Sequence, residues 1–333
     1  MEVTRTALAI DVEHEADIGA VRRAATVLAA EARLTEQRIG DTALIATELA
    51  TNIVRHGQHG GVLLALTSHE TATGVTLLAW DRGPGMNVAA CLPDGESSRG
   101  TRGAGLGAIA RIASRWDAYS RPGGGAVVTA SVFANDNPKA RFETGAVCVP
   151  CPGEEVSGDA WDAKRVGDSA LVVACDGLGH GVGAREASIA VIAAFRASSS
   201  TSPAVIIEAA HAAARPTRGA AGTVARIDPA ARTVTIAGAG NVGAWLVDGA
   251  NVKQLVTQHG TLGQVVSRVR EETYPFPANA QLVLCSDGLK SRWNLDAHEG
   301  LGSHHPATVA TVLWRDFARG RDDATAVVVR EAT

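Results

Sequence analysis

The sequence predicts two consecutive α/β domains, from three observations: a length of 333 residues, a polar stretch near the middle, and a change in the rhythm of strands and helices across it. One hydrophobic core rarely grows past about 250–300 residues, so a chain of this length divides naturally into two units of roughly 150. Residues 135–144 (NDNPKARFET) are polar, contain a proline and lack periodicity, as a domain linker does. The expected domains are therefore 1–134 and 145–333.

Composition bounds what such a chain can do. With 46% apolar and 20% charged residues and 36 glycines, it suits a globular protein with many tight turns. The formal net charge of -4 comes from interspersed charges, and no long basic run could neutralise a row of phosphates, so nucleic acid is not an expected partner. No apolar run approaches the ~20 residues that span a bilayer, and the first residues lack a signal-peptide core. No membrane partner is expected, and the expected location is the cytoplasm. Of five cysteines, Cys148, Cys175 and Cys285 lie in apolar, strand-like runs and read as buried thiols. Cys148 and Cys151 form a C-x-x-C, but no second pair or neighbouring histidine completes a zinc site.

The first half opens with a strand over 5–12 and a helix over 17–34 with apolar residues at helical spacing. A second helix follows at 42–56, capped by Asp41 and stopped by Gly57, with Leu44, Ile45, Leu49 and Ile53 on its apolar side. Strands at 62–68 and 75–80 lead to the loop DRGPGM, and the segment RGTRGAGLG opens a helix through Arg115 before a last strand at 126–133.

Three features of this half suit a nucleotide. Glu48, Asn52 and His56 stand at i, i+4 and i+8 and share one helix face, where a carboxylate and an amide can hold magnesium beside a triphosphate. A polar helix face is ordinarily just solvated, so the stripe needs company. Asp81 ends a strand and precedes Gly83 and Gly85, where a carboxylate can accept a hydrogen bond from an adenine amino group while the glycines let backbone approach. Gly103, Gly105 and Gly107 open a helix whose amides can receive phosphate oxygens. Their order along one chain is more specific than any one of them.

Through ELATN (48–52), DRGPG (81–85) and GAGLG (103–107), residues 5–133 resemble the GHKL ATPase superfamily, whose Bergerat fold is an α/β sandwich. Only residues 87–102 separate Met86 from Gly103, leaving no room for a long lid, as in the small serine kinases of the anti-sigma-factor class and most of all the stressosome switch kinases of the RsbT type. The resemblance implies ATP with Mg2+, Glu48 as base for a substrate serine, Asn52 as a magnesium ligand, Asp81 as adenine reader, and Gly103 to Gly107, with Leu106, as the phosphate loop. One departure is Gly125-Ala126, where such kinases often carry Gly-Thr, so one hydrogen bond on the adenine side is missing.

The second half changes rhythm: strand hairpins within 146–175 and 223–247, helices over 183–197 and 203–214, and strands at 281–285 and 324–330 give an α/β sandwich. Two strands meet at Gly167-Asp168, a two-residue turn with glycine first, as a type II′ hairpin requires. With no bulge, Val166 faces Ser169, and counting back along both strands sets Asp159 opposite Asp176 with Cβ atoms ~5 Å apart. Two like charges held that close destabilise a hairpin unless a cation lies between them. Asp287 after the strand QLVLC, and Asp322-Asp323 before ATAVVV, add acids at strand ends. An all-oxygen set favours magnesium or manganese over zinc, and several carboxylates suit a two-ion site for phosphoester hydrolysis.

PGEEVSGDAW (152–161), DGLGHG (176–181), AGAGNVGAWL (237–246), SDGL (286–289) and RDDAT (321–325) resemble, in order, the metal-dependent protein phosphatase (PPM) family. The likeness is to its SpoIIE branch and, within that, to stressosome phosphatases of the RsbX type. It implies an α/β/β/α sandwich, two Mn2+ or Mg2+ ions bridged by Asp176, the Gly177 carbonyl on one of them, and Asp159, Asp287 and Asp322 completing the cluster directly or through water. Asp323 is not assigned to that ligand set. His180 either donates a proton to the leaving serine or is a structural hydrogen bonder. His304 and His305 lie in a loop and face solvent. Together the two resemblances imply a regulator that dephosphorylates a STAS-type partner, with a stressosome as its setting, and phosphorylates the same or a related protein. The alternative reading leaves the first domain as a nucleotide-dependent binding module for an anti-sigma antagonist or sigma factor.

Overall fold

The structure, a computed structural model, describes all residues except 1, 5–6, 70–71, 92–104, 136–139, 250, 267, 294, 296 and 333. Two compact units form, one of Ala7–Lys139 and one of Met1–Thr6 with Ala140–Thr333. The three-residue strand β1 (Glu2–Thr4) belongs to the second of these by its contacts.

In the Ala7–Lys139 unit, β2 (Leu8–Val12) leads to α1 (Glu15–Glu31) and α2 (Glu36–His56), then β3 (Gly60–His69) and β4 (Ala72–Trp80). A single turn α3 (Val88–Cys91), the helix α4 (Gly105–Ile112), β5 (Arg115–Ser120) and β6 (Ala126–Phe133) complete it. The strands β3, β4, β6 and β5 are neighbours in that order, and β2 pairs antiparallel with β3. Alternate residues (Val62, Leu64; Val75, Leu77, Ala79; Val128, Ala130, Val132) point to the face covered by Val21, Ala25, Ala29, Ile45, Leu49 and Ile53 of the two long helices. Asp17 starts α1 by accepting the amides of Glu13 at 3.0 Å and His14 at 2.8 Å, which holds its carboxyl below the usual range.

Three expectations need correction here. The second helix starts at Glu36, not after Asp41. Thr35 caps it by accepting from Arg38 N at 3.3 Å, and Asp41, inside the helix, pairs with Arg38 Nη1 at 3.3 Å. Leu44 is 44% exposed, because it lies four residues before Glu48 on the polar stripe rather than with Ile45 and Leu49. The helix after the glycines ends at Ile112, and Arg115 begins β5, an edge strand whose buried Ala118 and Tyr119 are adjacent and break the alternation that reveals strands.

The second unit has two sheets face to face. One holds β14 (Glu272–Pro275), β11 (Thr233–Ala239), β10 (Ala220–Asp228), β9 (Ser169–Gly177) and β8 (Asp159–Val166), in that order. The other holds β13 (Asn251–Leu255), β12 (Gly243–Asp248), β15 (Gln281–Cys285), β16 (Ala324–Glu331) and β7 (Phe142–Val149). Their facing side chains, among them Val172, Ala174, Ile236, Leu282, Leu284, Val327 and Val329, make one core. The outer face of the first sheet packs under α5 (Val182–Ala197) and α6 (Pro203–Ala214), and α7 (Pro306–Phe317) covers β7 and β16. The layers are therefore α/β/β/α. Residues 142–144, expected as linker, already pair with β16. The expected hairpins form as β8–β9 within 146–175 and β10–β11 within 223–247, while β7 and β12, which touch the same ranges, lie in the opposite sheet. Periodicity locates a strand but not the sheet it joins.

Candidate functional site

Gly167 has φ 59° and Asp168 is not left-handed, as a type II′ turn requires. The turn sets the β8–β9 register, and Asp159 pairs directly with Asp176. Asp159 is fully buried and, among the described residues, neither of its carboxylate oxygens has a hydrogen-bond partner. Burial foremost, with Asp323 and Asp287 adding to it against the nearby hydroxyls of Ser286 and Thr325, pushes its carboxyl up from the ordinary range. Asp176, half-buried across from it, is also pushed up by burial and then by Asp159, Asp287, Asp322 and Asp323. A buried carboxylate that accepts no hydrogen bond and faces a second carboxylate is costly unless a cation occupies the space.

The other acids each accept hydrogen bonds, Asp287 from a side chain and Asp322 and Asp323 from the backbone. Asp287 accepts from Asn241 Nδ2 at 2.6 Å. Asp323 is buried and uses both oxygens, accepting from Cys151 N and Gly158 N at 2.8 Å each. Asp322 is exposed and, among the described residues, accepts only from Asp323 N, at 2.9 Å. The pair thus divides its work, with Asp323 clamping two loops and Asp322 left at the surface of the cluster. Gly177 ends β9, where a Cβ would fall 2.0 Å from the carbonyl oxygen of Ala184, so only glycine lets α5 settle onto that strand end. Among the described residues no three acidic, histidine or cysteine side chains close on a single point; the acids surround a space rather than forming a finished ligand shell. The donor set fits hard divalent ions, with Asp159 supplying two unengaged oxygens.

His180 lies apart from that pair, in the loop after β9, with Nδ1 2.5 Å from Glu154 Oε1 and most of the ring exposed. Sequence reasoning assigned no role to Glu154, Asn241 or the clamping oxygens of Asp323; the first two lie inside quoted motifs, but their partners are set by tertiary packing. Cys148, Cys175 and Cys285 are buried, all five cysteines are free, and burial foremost raises the Cys148 thiol to about 11.

The other unit holds a cavity of about 540 Å³, in the range of small-molecule sites. Leu49, Ile53, Ala79, Ala126 and Val128 give it an apolar floor, and Asn52, His56, Asp81, Gly85, Gly105 and Leu106 contribute to its lining. The Asp81 main chain is fixed by N–H donation to Ala126 O at 3.0 Å, and Oδ1 accepts from Gly83 N at 2.7 Å. Gly83 N lies in a turn braced by Gly125, whose amide donates to Gly83 O at 3.0 Å. At Gly125, φ is 68° and a Cβ would fall 2.0 Å from the carbonyl oxygen of Asp81, so the two loops meet only through glycine. Glu48 is not in the cavity lining, but a Cβ on Gly105 would lie 3.4 Å from Glu48 Oε2 and 3.5 Å from Asn52 Oδ1. Carboxylate, amide and the start of α4, where Gly107 is buried in the first turn, therefore adjoin. Gly103 lies outside the described residues.

Residues 12–132 match the family model "histidine kinase-like ATPase domain", and residues 167–331 match "Stage II sporulation protein E (SpoIIE)". No curated protein matches the chain significantly. Among solved structures, a chain from a study of the bacterial stressosome as a modular system for secondary messenger signaling is 24% identical. It covers 57% of this chain and 100% of its own, with a TM-score of 0.53. RsbX in complex with magnesium is 21% identical over 59% of this chain and 98% of that one, with a TM-score of 0.50. The PP2C phosphatase domain and a regulatory fragment of SpoIIE from Bacillus subtilis are 20% identical over 80% and 81%, with a TM-score of 0.50. These likenesses bear on the fold. No helix among the described residues is long and apolar enough to cross a membrane.

Proposed function

Because the chain joins a histidine kinase-like ATPase domain to a SpoIIE-type domain of PPM fold, we propose that it sets the phosphorylation state of a STAS-type partner in the cytoplasm. The second unit removes phosphate from serine or threonine, and the first binds ATP with Mg2+ and phosphorylates a serine of the same or a related partner. The observation that carries the phosphatase half is the register-paired Asp159 and Asp176, with both oxygens of Asp159 buried and unpartnered. The stressosome and RsbX relatives support a STAS protein as the class of partner.

Asp176, the Gly177 carbonyl, Asp159, Asp287 and Asp322 would hold two Mn2+ or Mg2+ ions. Bound there, divalent ions would supply a nucleophilic water at neutral pH and charge to offset the phosphate. Asn241 orients Asp287, and Asp323 holds the 151–158 loop in place. His180, turned toward Glu154, is positioned to serve as proton donor only if it swings from that partner. In the first unit Asp81 reads the adenine amino group, Gly83 and Gly85 shape its turn, and Asn52 with Gly103, Gly105, Leu106 and Gly107 receives Mg2+ and phosphates. Glu48 is the base for the attacking serine.

A second reading is favoured by Ala126 in the cavity lining at the adenine end, where related kinases often carry threonine. It makes the first unit a nucleotide-dependent clamp for an anti-sigma antagonist or sigma factor. Glu48→Ala separates the two. Intact-mass measurement of a STAS protein incubated with full-length chain, ATP and Mg2+ should show a gain of one phosphate with wild type. The variant should lose that transfer by about 100-fold or more, with ATP affinity kept. Absence of transfer by wild type, with partner binding still dependent on ATP, would select the clamp.

A further inference from the structure

We infer that Arg218 grips the phosphate of the phosphorylated substrate at the mouth of the carboxylate cluster, an inference that rests on the phosphatase reading for the identity of the ligand. The β9–β10 register sets Ala221 opposite Asp176 and Ala220 opposite Gly177. Continued outward, it brings Arg218 across from Gly179, beside the loop that follows Asp176. The main chain there is tied down on both sides. Leu178 N donates to Gly219 O at 3.0 Å, Ala220 N and O both bond to Leu262, and the Gln264 amide donates to Arg218 O at 2.5 Å.

The guanidinium lies along the loop. A Cβ on Gly179 would stand 3.6 Å from its Nη1, and one on Gly183, at the start of α5, would fall 2.6 Å from its Cζ and 2.7 Å from its Nε. Glycine at 183 therefore leaves room for this side chain. Arg218 is exposed, and among the described residues its guanidinium has no hydrogen bond or ion pair. Arg185, by contrast, donates to Ser157 O.

Charge balance explains why a cation is needed there. Four ligand carboxylates offset two divalent ions, leaving the charge of Asp323 over, so an approaching phosphate dianion meets a site with no surplus of positive charge. A planar guanidinium binds two phosphate oxygens at once and stays charged at every working pH, which a metal site filled by carboxylates does not replace. The ligand class is a phosphomonoester dianion, as on phosphoserine.

The test is calorimetric titration of inorganic phosphate into full-length, Mn2+-loaded protein, alongside hydrolysis of a phosphoserine peptide. Arg218→Gln should weaken phosphate by about tenfold or more and raise KM in parallel, with Arg218→Lys intermediate and Mn2+ affinity unchanged. Gly183→Ala should weaken phosphate without removing any charge, since its methyl displaces the guanidinium. Wild-type phosphate affinity and KM in Arg218→Gln would overturn the inference while leaving the phosphatase reading intact, and so would wild-type protein that does not bind phosphate. Wild type that binds phosphate through Arg218 but never hydrolyses the peptide would keep the anion site and remove the phosphatase reading.

Discussion

Asp159→Asn is expected to abolish phosphate release and, in metal-free protein, to raise the melting temperature of the phosphatase unit. The side chain is fully buried, both its oxygens lack partners, and Asp176 faces it directly across the β8–β9 ladder. Its folded-state pKa is raised, chiefly by burial. The stability that goes with the protonated form is therefore present in acid and lost as pH rises through the raised value. Asparagine removes the charge and keeps the shape, so its advantage should be small near pH 5 and reach about 1–3 kcal/mol, roughly 2–10 °C, near pH 8. Added Mn2+ should reverse the order, stabilising wild type and not the variant. Scanning calorimetry in chelator and in Mn2+ at both pH values checks this. A variant less stable than wild type without metal at pH 8 would mean that the carboxylate is already satisfied by the protein.

Asp81→Asn is expected to weaken ATP binding by about 100-fold while leaving phosphate release untouched. The carboxylate stands at the cavity wall with its main chain fixed by Ala126 and Oδ1 taken by Gly83 N. An amide in its place offers a donor where both the Gly83 amide and an adenine amino group need an acceptor, and an unmatched buried hydrogen bond to a charged group costs about 1.5–3 kcal/mol. Fluorescent-nucleotide titration of the full-length variant measures the loss. Unchanged affinity would show that adenine is read elsewhere.

How much of this was legible in the sequence depended on how local each determinant is. The Asp159–Asp176 pairing could be counted because a two-residue turn with glycine first admits one register, and the structure has that register. The helix at 203–214 was equally plain, with Ser202 capping and Pro203 in the first turn. Hidden features were those set by packing between distant segments. β7 and β8 follow one another along the chain but lie in opposite sheets, because an apolar pattern marks a strand and does not say which neighbour it meets. The start of α2 was missed because Gly40 and Asp41 mimic a boundary inside a helix already capped by Thr35. The clamp made by Asp323 joins positions more than 160 residues apart, and the approach of Arg218 to Gly183 follows only once β10 lies beside β9.

If the carboxylate cluster is a divalent-ion phosphatase centre, metal must control turnover. The measurement that bears on it is release of inorganic phosphate from a serine-phosphorylated STAS protein by the full-length chain, in Mn2+ and in excess chelator. Stoichiometric release in Mn2+, stopped by chelator and restored by fresh Mn2+, is the result expected. Equal rates in Mn2+ and chelator, or no release in either, would contradict it.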